Sequence, residues 1–395
     1  MPAVRGALRV VQNIQLDGNV YASPIVVNGI TVVATENNTV YAFGPDFAQL
    51  WKRNFGAPSP SDERDCGNID PLGITGTSVY DASTGSVFVS PQLGGPPRHR
   101  LVALELRTGK LLWERSIDLA GVQTKAMQER GALTVAGGRV WVPFGGLTGD
   151  CGGYKGRVVG VRLDGSGDPV SYTIPTTREA GIWAPPGPSV DADGNLLVAV
   201  GNGASGSGDP YDYSDSVLKI GTDGTLRDSY SPSNWASDNE GDLDLGSQGP
   251  ALVGTRWVFA AGKSGFGYVL RQDRLGGIGG EVSKAQVCRS YGGTAVVRDV
   301  VFVPCDDGVR AVRIDSAGVM HVLWHTSVPG SPVVGGGRVW SLDSGAGVLH
   351  GLDPRTGVPR EQVAVGATSR FATPALHGRD VIVPTLAGIT VVRTS

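Results

Sequence analysis

The sequence predicts an all-β protein, an eight-bladed β-propeller whose N-terminal strand closes the last blade. Three observations lead to this prediction: a repeat of short apolar strands, an abundance of turn residues, and a last repeat that lacks a strand. The 395 residues include 60 glycines and 25 prolines, and 40% of them are hydrophobic. Such a composition supplies turns and a packed interior together, as a repeat fold requires.

Each repeat consists of a small residue with Pro, Thr or Ser, followed by three short apolar strands. A period of roughly 40 to 60 residues with three or four strands is typical of propeller blades. The second strands, such as Val140-Trp141-Val142, are β-branched, aromatic and too short for helices. We therefore predict a single propeller domain over residues 1–395, with repeats that begin at Ser23-Pro24, Gly76-Thr77, Gly131-Ala132, Gly187-Pro188, Gly249-Pro250, Gly293-Thr294, Ser331-Pro332 and Thr373-Pro374.

The eighth repeat provides the argument for closure of the ring. After its third strand, Ile389 to Val392, too few residues remain for a fourth strand. The segment 8–12, Leu-Arg-Val-Val-Gln, has a suitable length and β-propensity, and its pairing would remove exposed sheet edges. We expect this segment to complete the eighth blade; the alternative is a loose N-terminal tail.

Charge argues against nucleic-acid binding, and hydropathy argues against a membrane-spanning helix. The formal net charge is -3 and the basic residues are scattered, so the chain lacks the basic patch that nucleic-acid binding requires. No apolar run reaches the roughly 18 residues of a membrane-spanning helix. We therefore expect neither a nucleic-acid partner nor a membrane-spanning segment.

The four cysteines are arranged as two feasible disulfides. Cys66 and Cys151 lie in Gly-rich loops of neighbouring repeats, whereas Cys288 and Cys305 flank a turn and a strand within one repeat. Disulfides persist in oxidising compartments, so they favour an exported protein. Residues 1–11 lack the apolar core of a secretion signal, so this expectation depends on the cysteines alone, and buried free thiols are the alternative.

One repeat carries a family resemblance. The segment 104–114, Leu-Glu-Leu-Arg-Thr-Gly-Lys-Leu-Leu-Trp-Glu, resembles the tryptophan-docking repeat of pyrroloquinoline quinone (PQQ) dehydrogenases and of the bacterial outer-membrane assembly propeller. Weaker similarities occur around Trp51, Trp324 and Gly357. The resemblance implies a quinoprotein-like propeller in which each outer-strand tryptophan stacks on a peptide plane of the next blade.

The resemblance also implies a set of metal ligands. Quinoprotein alcohol dehydrogenases hold Ca²⁺ or a lanthanide beside PQQ with an acidic side chain, an asparagine and an aspartate, which are oxygen ligands that suit hard cations. By resemblance, Asn202 is the amide ligand, Asp150 the acidic ligand, and Asp242 and Asp244 the metal-binding and catalytic aspartates. Two features depart from the family: the adjacent cysteine pair and the CxxCH haem motif are absent from this sequence.

Aromatic and basic residues are further candidates for cofactor binding. Trp183 precedes an inner strand and is a candidate floor for a flat ligand, while Trp235 resembles an aromatic beside the family's acidic loop. Lys125, Arg130 and Arg370 also precede inner strands, where they would bind carboxylates of PQQ or of another anion. The alternatives are packing tryptophans and solvated charges at the rim.

These observations lead to one favoured function and two others. We expect a non-catalytic binding or scaffold propeller, exported, that presents its channel mouth to a small molecule, a carbohydrate or a protein. The first alternative is an alcohol or sugar oxidoreductase dependent on PQQ and on Ca²⁺ or a lanthanide, in which Asp242 and Asp244 share metal binding and proton removal. The second is a propeller lyase or isomerase, for which no specific residues stand out.

Overall fold

The computed structural model describes residues 1–4 and 6–394 of the chain. In this part, the strands form eight sheets arranged as the blades of a propeller, and nearly all neighbouring strands are antiparallel. The predicted fold class is confirmed. Each blade is a small twisted sheet whose first strand lies innermost, so that loops between strands meet around the axis of the ring.

The strands are numbered in chain order. The N-terminal strand β1 is Leu8–Gln15. Blade 1 contains β2 (Ile25–Val27), β3 (Ile30–Ala34), β4 (Thr39–Phe43) and β5 (Gln49–Asn54). Blade 2 contains β6 (Val79–Asp81), β7 (Ser86–Val89), β8 (Gln92–Leu93), β9 (Arg98–Glu105) and β10 (Leu111–Ser116). Blade 3 contains β11 (Met127–Gln128), β12 (Thr134–Ala136), β13 (Arg139–Gly146), β14 (Arg157–Arg162) and β15 (Val170–Thr173).

The later blades follow the same plan. Blade 4 contains β16 (Ser189–Val190), β17 (Leu196–Val200), β18 (Ser216–Ile220) and β19 (Leu226–Ser231). Blade 5 contains β20 (Ala251–Val253), β21 (Trp257–Ala261), β22 (Phe266–Arg271) and, after β23 (Gly277–Ile278), which pairs with blade 4, β24 (Ser283–Gln286). Blade 6 contains β25 (Ala295–Val297), β26 (Val300–Cys305), β27 (Gly308–Ile314) and β28 (Met320–Thr326). Blade 7 contains β29 (Val333–Gly335), β30 (Arg338–Asp343), β31 (Val348–Leu352) and β32 (Pro359–Ala364). Blade 8 contains β33 (Ala375–His377), β34 (Asp380–Thr385) and β35 (Gly388–Thr394).

The ring closes through the two ends of the described chain. β1 pairs antiparallel with β35, with Leu8 opposite Thr394 and Gln15 opposite Gly388. It becomes the fourth strand of blade 8, and it extends three residues beyond the predicted segment 8–12. The innermost strands of blades 1 and 8, β2 and β33, are also in contact. The predicted closure is confirmed.

The core lies between neighbouring blades. All five residues of β17 and all five of β18 are buried. Val198 packs in one cluster with residues of blade 3, whereas the adjacent Leu197 packs with Val258 of blade 5. Successive side chains of a strand point to opposite faces, and here both faces are covered. This explains why the middle strands read as continuous apolar runs rather than as alternating patterns.

Helix is scarce. The only α-helix in residues 1–4 and 6–394 is α1 (Trp235–Glu240), and 3₁₀ turns occur at Ser61–Glu63, Thr124–Ala126 and Leu245–Ser247. The acidic stretch that carries Asp242 and Asp244 therefore begins inside a helix. Asp238 lies in the first turn of α1 and accepts a hydrogen bond from the Asn234 side chain, which favours helix at this point. Across the described residues, no helix has the length and apolar character needed to cross a bilayer.

Both proposed disulfides are present. Cys66 is bonded to Cys151, 85 residues away, and Cys288 to Cys305, 17 residues away. The first bond joins the loop before blade 2 to the loop between β13 and β14. The second lies within blade 6 and its preceding loop.

Candidate functional site

A cavity of about 680 Å³ opens around the axis of the ring. Its walls are formed by loops of several blades, which follow one another around the axis in the order of the sequence. Of the residues predicted for a site, it is lined by Arg130, Asp150, Trp183, Asn202, Asp242, Asp244 and Arg370. The loops that the family resemblance singled out therefore meet in a single cavity.

The first wall of the cavity is acidic and belongs to the loop after β13. Asp150 has a positive φ of 48°, and its Oδ1 accepts a hydrogen bond from the Tyr154 hydroxyl at 2.6 Å. Glu179 also lines this wall, and burial, with Asp150 and Asp244 nearby, raises the pKa of its carboxyl. The disulfide between Cys66 and Cys151 anchors this loop beside Asp150.

Asn202 follows β17 and lies at the centre of the second wall. Its backbone N–H donates to Asp244 Oδ1 at 2.6 Å, and its side-chain Nδ2 donates to Asp242 Oδ1 at 2.7 Å. Its Oδ1 is buried without a hydrogen-bond partner. A buried acceptor of this kind is rare unless a ligand, an ion or water completes it.

Lys263 holds the two aspartates together. Its Nζ lies 2.6 Å from Asp242 Oδ1 and 2.6 Å from Asp244 Oδ2. Burial raises the pKa of Asp244, and Lys263 opposes that rise. Although burial alone would lower it, the two carboxylates raise the pKa of Lys263, which keeps the ammonium charged.

Sequence reasoning did not identify Lys263, but a signal for it exists. Lys263 follows the last residue of β21 by two positions, as Asn202 follows the last residue of β17. The two residues therefore occupy equivalent positions in consecutive repeats, and the sequence position of Asn202 could have been used to find Lys263. Glu179, Tyr291 and Phe371 also line the cavity and were not predicted.

Arginines and aromatic rings form the rest of the wall. The Arg130 guanidinium lies 4.6 Å from the Phe371 ring centroid, and Arg370 lies 4.6 Å from that of Tyr291 and 5.3 Å from that of Phe371. Trp183 packs edge-on against Phe371 with 6.4 Å between centroids. No carboxylate of the described chain lies within ion-pair distance of either arginine, so both cations are available to an anion.

Two predicted residues lie outside this cavity. Lys125 belongs to a 3₁₀ turn, where its exposed ammonium pairs with Asp65 at 2.8 Å. Trp235 begins α1 and packs against Tyr211 with ring centroids 5.1 Å apart. Neither is among the cavity-lining residues, because a local ion pair holds the first and the helix directs the second into the interior.

The donor set suits a ligand that carries both a hard cation and carboxylates. In the described part of the chain, no three His, Cys, Asp or Glu residues are grouped to hold a metal ion by themselves. An amide oxygen, however, completes the predicted set, and Asn202 Oδ1 is free to do so. The unpaired Arg130 and Arg370 suit carboxylates of a planar cofactor. The residues present therefore fit PQQ with a hard cation.

The fold and this axial cavity define the chain as an eight-bladed β-propeller with a polar site at its axis. Residues 5–145 match the model of the family described as outer membrane protein assembly factor BamB. The chain is 31% identical over 147 residues to the polyvinylalcohol dehydrogenase of Sphingopyxis sp. (strain 113P3), a match that covers 31% of this chain and 21% of that protein. The match thus spans about a fifth of the relative's length.

Two solved structures share the whole fold. BamB from Moraxella catarrhalis superposes with a TM-score of 0.67 at 16% identity, over 98% of this chain and 100% of that chain. Quinohemoprotein alcohol dehydrogenase from Comamonas testosteroni superposes with a TM-score of 0.72 at 17% identity, over 98% of this chain and 76% of that chain. Both superpositions show that the chain shares the β-propeller fold, and residues 5–145 are similar to the BamB family.

Proposed function

We propose that the protein is an oxidoreductase that acts on hydroxyl groups with PQQ and a hard cation, Ca²⁺ or a lanthanide. The observation that carries this proposal is the convergence of Asp150, Asn202, Asp242 and Asp244 on one cavity, with the Asn202 amide oxygen left without a partner. The polyvinylalcohol dehydrogenase to which the chain is similar has a name that denotes an enzyme acting on alcohols. An apolar core needs none of these polar groups, so their convergence favours chemistry at this place.

The residues divide into binding and chemical roles. Asp150 and Asn202 would hold the cation through oxygen atoms. Arg130 and Arg370 would bind carboxylates of the cofactor, and Trp183 would provide a face for its ring system. When bound, PQQ supplies a two-electron acceptor next to the substrate.

Asp244 is the proposed general base. It is 7% exposed, and burial raises its pKa, which brings it closer to the range where a carboxylate removes a proton effectively. Lys263 and the Asn202 N–H fix the orientation of its two oxygens. Asp244 would thus accept the hydroxyl proton of a substrate alcohol, and Asp242, at the exposed edge, would complete the cation site.

The experiment compares cofactor binding with turnover. Melting temperature and dye-linked alcohol oxidation are measured with PQQ alone, with Ca²⁺ or La³⁺ alone, and with both. A native-state ligand raises the melting temperature, so we expect the largest rise with both.

Asn202→Ala should abolish the rise, and Asp244→Asn should keep the rise and lose oxidation by at least about 100-fold. Asn195→Ala is the matched control, because Asn195 bonds Asp191 in a turn away from the cavity. No rise at saturating PQQ and cation would overturn the proposal.

A second candidate is a binding or scaffold propeller, and the Lys263 contacts favour it. The Lys263 ammonium already pairs with both Asp242 and Asp244 without a metal, and the sequence lacks the family's adjacent cysteine pair. The full-length superposition on BamB is consistent with a protein partner at the channel mouth. This candidate would be favoured if wild type fails to bind the cofactor but retains a partner in a pull-down or glycan screen.

For either function we propose an extracytoplasmic location, because the protein contains two disulfides.

A further inference from the structure

Two buried glutamates lie beside the ligand cavity, and the proposed chemistry does not use them. Glu36 follows β3 and is 2% exposed; Glu129 follows β11 and is 4% exposed. Glu36 Oε2 accepts hydrogen bonds from the Gly73 N–H at 2.7 Å and the Thr75 hydroxyl at 3.2 Å, while its Oε1 has no partner. Neither carboxylate oxygen of Glu129 makes a hydrogen bond of normal geometry.

Glycine permits this arrangement. Glu129 lies directly against Gly76, where an added Cβ would be 2.2 Å from Oε1. At Gly73 the close contact is with the backbone, since a Cβ would be 2.1 Å from the Glu36 carbonyl oxygen. Gly76 thus makes room for a Glu129 carboxyl group that lacks hydrogen-bond partners, and such groups are expensive to retain when they are only structural.

The charges that face the pair come from three neighbouring segments. Arg64, Arg130 and Tyr21 act on Glu36 through space, and Arg370 acts in turn on Arg130. The Arg64 Nη2 donates to the Ile69 carbonyl at 2.6 Å and lies 3.7 Å from Asp70 Oδ1, whereas its Nη1 is buried without a hydrogen-bond partner. No described ion pair joins either glutamate to an arginine.

Burial is therefore the dominant influence on both acids. It raises the pKa of Glu36 to about 7, and the Gly73 and Thr75 hydrogen bonds and the two arginines offset it only in part. Burial, together with the charge of Glu36, raises the pKa of Glu129 well above its usual range. Glu36 consequently exchanges a proton near neutral pH, and its charge raises the pKa of Glu129, so the two groups are coupled.

A second cavity lies beside Glu36 and is lined by Thr75, whose hydroxyl donates to the Glu36 carboxylate. About 240 Å³ of the axial channel is lined by Thr75 and by other Ser and Thr residues, namely Ser23, Thr77, Thr294, Ser369 and Thr373. Tyr21, Arg130, Ser369 and Phe371 line both this channel and the ligand cavity, so they form the partition between the two. The Thr75 hydroxyl leads from the channel to Glu36, which gives a proton a path that avoids the ligand cavity.

We propose that Glu36 and Glu129 couple anion binding at Arg130 to the uptake of a proton through the axial channel. An ionised Glu36 offsets the Arg130 charge and repels an arriving carboxylate, whereas the protonated pair leaves that charge free for the anion. Binding and protonation must then favour each other reciprocally. This inference deepens the proposed function, on which it rests only in that the cavity receives an anionic ligand.

The first test needs no ligand. Between the ordinary glutamate pKa of 4.5 and the Glu36 pKa of about 7, the folded protein binds a proton that the unfolded chain has released, so stability falls as pH rises through that window. We expect the melting temperature of wild type to fall across it, and Glu36→Gln and Glu129→Gln each to flatten the fall. Glu114→Gln is the control, because Glu114 is an exposed member of β10 that pairs with Arg100.

The second test uses PQQ and, separately, citrate as anionic probes. Calorimetric titrations in buffers of different ionisation enthalpy give the protons taken up per bound anion. We expect net uptake by wild type at neutral pH, with Kd weakening by up to about tenfold per pH unit above it. In Glu36→Gln, uptake and this pH dependence should be lost, whereas Glu129→Gln, which keeps the titrating Glu36, should retain the uptake, and Glu114→Gln should match wild type.

The outcomes separate this inference from the proposed function. Citrate binding with proton uptake, without PQQ binding, would remove the oxidoreductase proposal and leave the coupling intact. Anion binding without proton uptake would overturn the coupling and leave the oxidoreductase proposal intact. If neither anion binds, or if the wild-type melting temperature does not fall between the two pKa values, the coupling is overturned as well. Two separate variants guard against one of them failing to fold.

Discussion

At the scale of single residues, two glycines decide which side chains meet in the ligand cavity. A Cβ at Gly201 would lie 2.3 Å from Asp244 Oδ1 and 3.1 Å from the Trp183 indole nitrogen. A Cβ at Gly145 would lie 2.8 Å from the Trp183 Cβ. The Gly-Asn sequence at 201–202 therefore has a steric reason: it lets the Asn202 backbone reach an aspartate of the next blade.

Lys263 offers the sharpest test at this scale. In Lys263→Met, Asp242 and Asp244 lose their shared cation, and the pKa of the buried Asp244 rises further because burial is no longer opposed. We expect the free energy of unfolding to fall by about 3 kcal/mol at neutral pH. Since acid protonates the carboxylates, the deficit should shrink as pH falls towards the ordinary aspartate pKa. Urea unfolding at several pH values measures it.

The control for this prediction is Lys52→Met, which removes a half-exposed lysine of β5 whose nearest carboxylate, Asp17, is 3.7 Å away. An exposed ion pair contributes little, so this variant should remain within about 0.5 kcal/mol of wild type. A Lys263→Met deficit that does not change with pH would mean that lost packing, rather than unpaired carboxylates, accounts for it.

Single residues also show where sequence reasoning reaches its limit. Asn202 and Asp244 were found because each follows a recognisable loop pattern, and the order of the blades then brings those loops together. Lys263 and Phe371 escaped because their importance comes from contacts with other blades, which no local pattern records. Lys125 was expected to bind an anion because it precedes an inner strand, whereas its exposed ammonium pairs with Asp65 outside the ligand cavity.

At the scale of structural elements, tryptophans tie three outer strands, β5, β10 and β28, to the following blade. The Trp51 Nε1–H donates to the Leu106 carbonyl at 2.9 Å, Trp113 to Leu163 at 3.0 Å, and Trp324 to Pro354 at 3.0 Å. Each indole covers a turn glycine of the neighbour, namely Gly109, Gly165 and Gly357. The indole thus lies against the neighbouring blade as the family resemblance implied, and the contact requires glycine in the turn because a Cβ there would meet the indole.

Substitutions at Trp51 and Gly109 should be strongly non-additive. Trp51 is 8% exposed, so Trp51→Ala should lower the free energy of unfolding by about 3 kcal/mol. Gly109→Ala meets two penalties: a φ of 67° and a Cβ that would lie 2.5 Å from the indole. With the indole removed only the first penalty remains, so Gly109→Ala should cost about 1 kcal/mol less beside Trp51→Ala than alone.

Gly85→Ala isolates the backbone penalty. Gly85 has a φ of 66° and nothing within 4 Å of an added Cβ, so its substitution should cost about 1 kcal/mol. Denaturant unfolding of all four proteins and this control completes the cycle. If Gly109→Ala costs no more than Gly85→Ala, the indole adapts to the added methyl group and the docking contact is looser than described.

At the scale of the whole molecule, periodicity made the architecture predictable. The first strand of each three-strand repeat begins two or three residues after a start read from the sequence, as β2 does at Ile25 and β12 at Thr134. Additions to the repeat, such as α1 and β23, were not foreseen because each occurs once. That the propeller constitutes one folding domain over the whole chain remains a prediction.

Ring closure can be tested by removing β1. Three of its apolar side chains, Leu8, Val10 and Ile14, are half-buried, and their loss at about 1 kcal/mol each should lower the free energy of unfolding by about 3 kcal/mol. Deletion of residues 1–15 would also expose the edge of β35 and promote association between copies. A variant lacking residues 1–7 retains the strand and controls for the Val4 contact with blade 7.

A peptide supplied in trans distinguishes strand pairing from a general loss of stability. A synthetic segment 8–15 should add to the open edge of the truncated protein as a donated strand, because β35 presents a register of unpaired backbone groups to it. We expect the peptide to raise the melting temperature and suppress association, as followed by light scattering. A scrambled peptide of the same composition should do neither. Equal rescue by both peptides would mean that the edge is protected by apolar contact alone and that the antiparallel register of β1 does not close the ring.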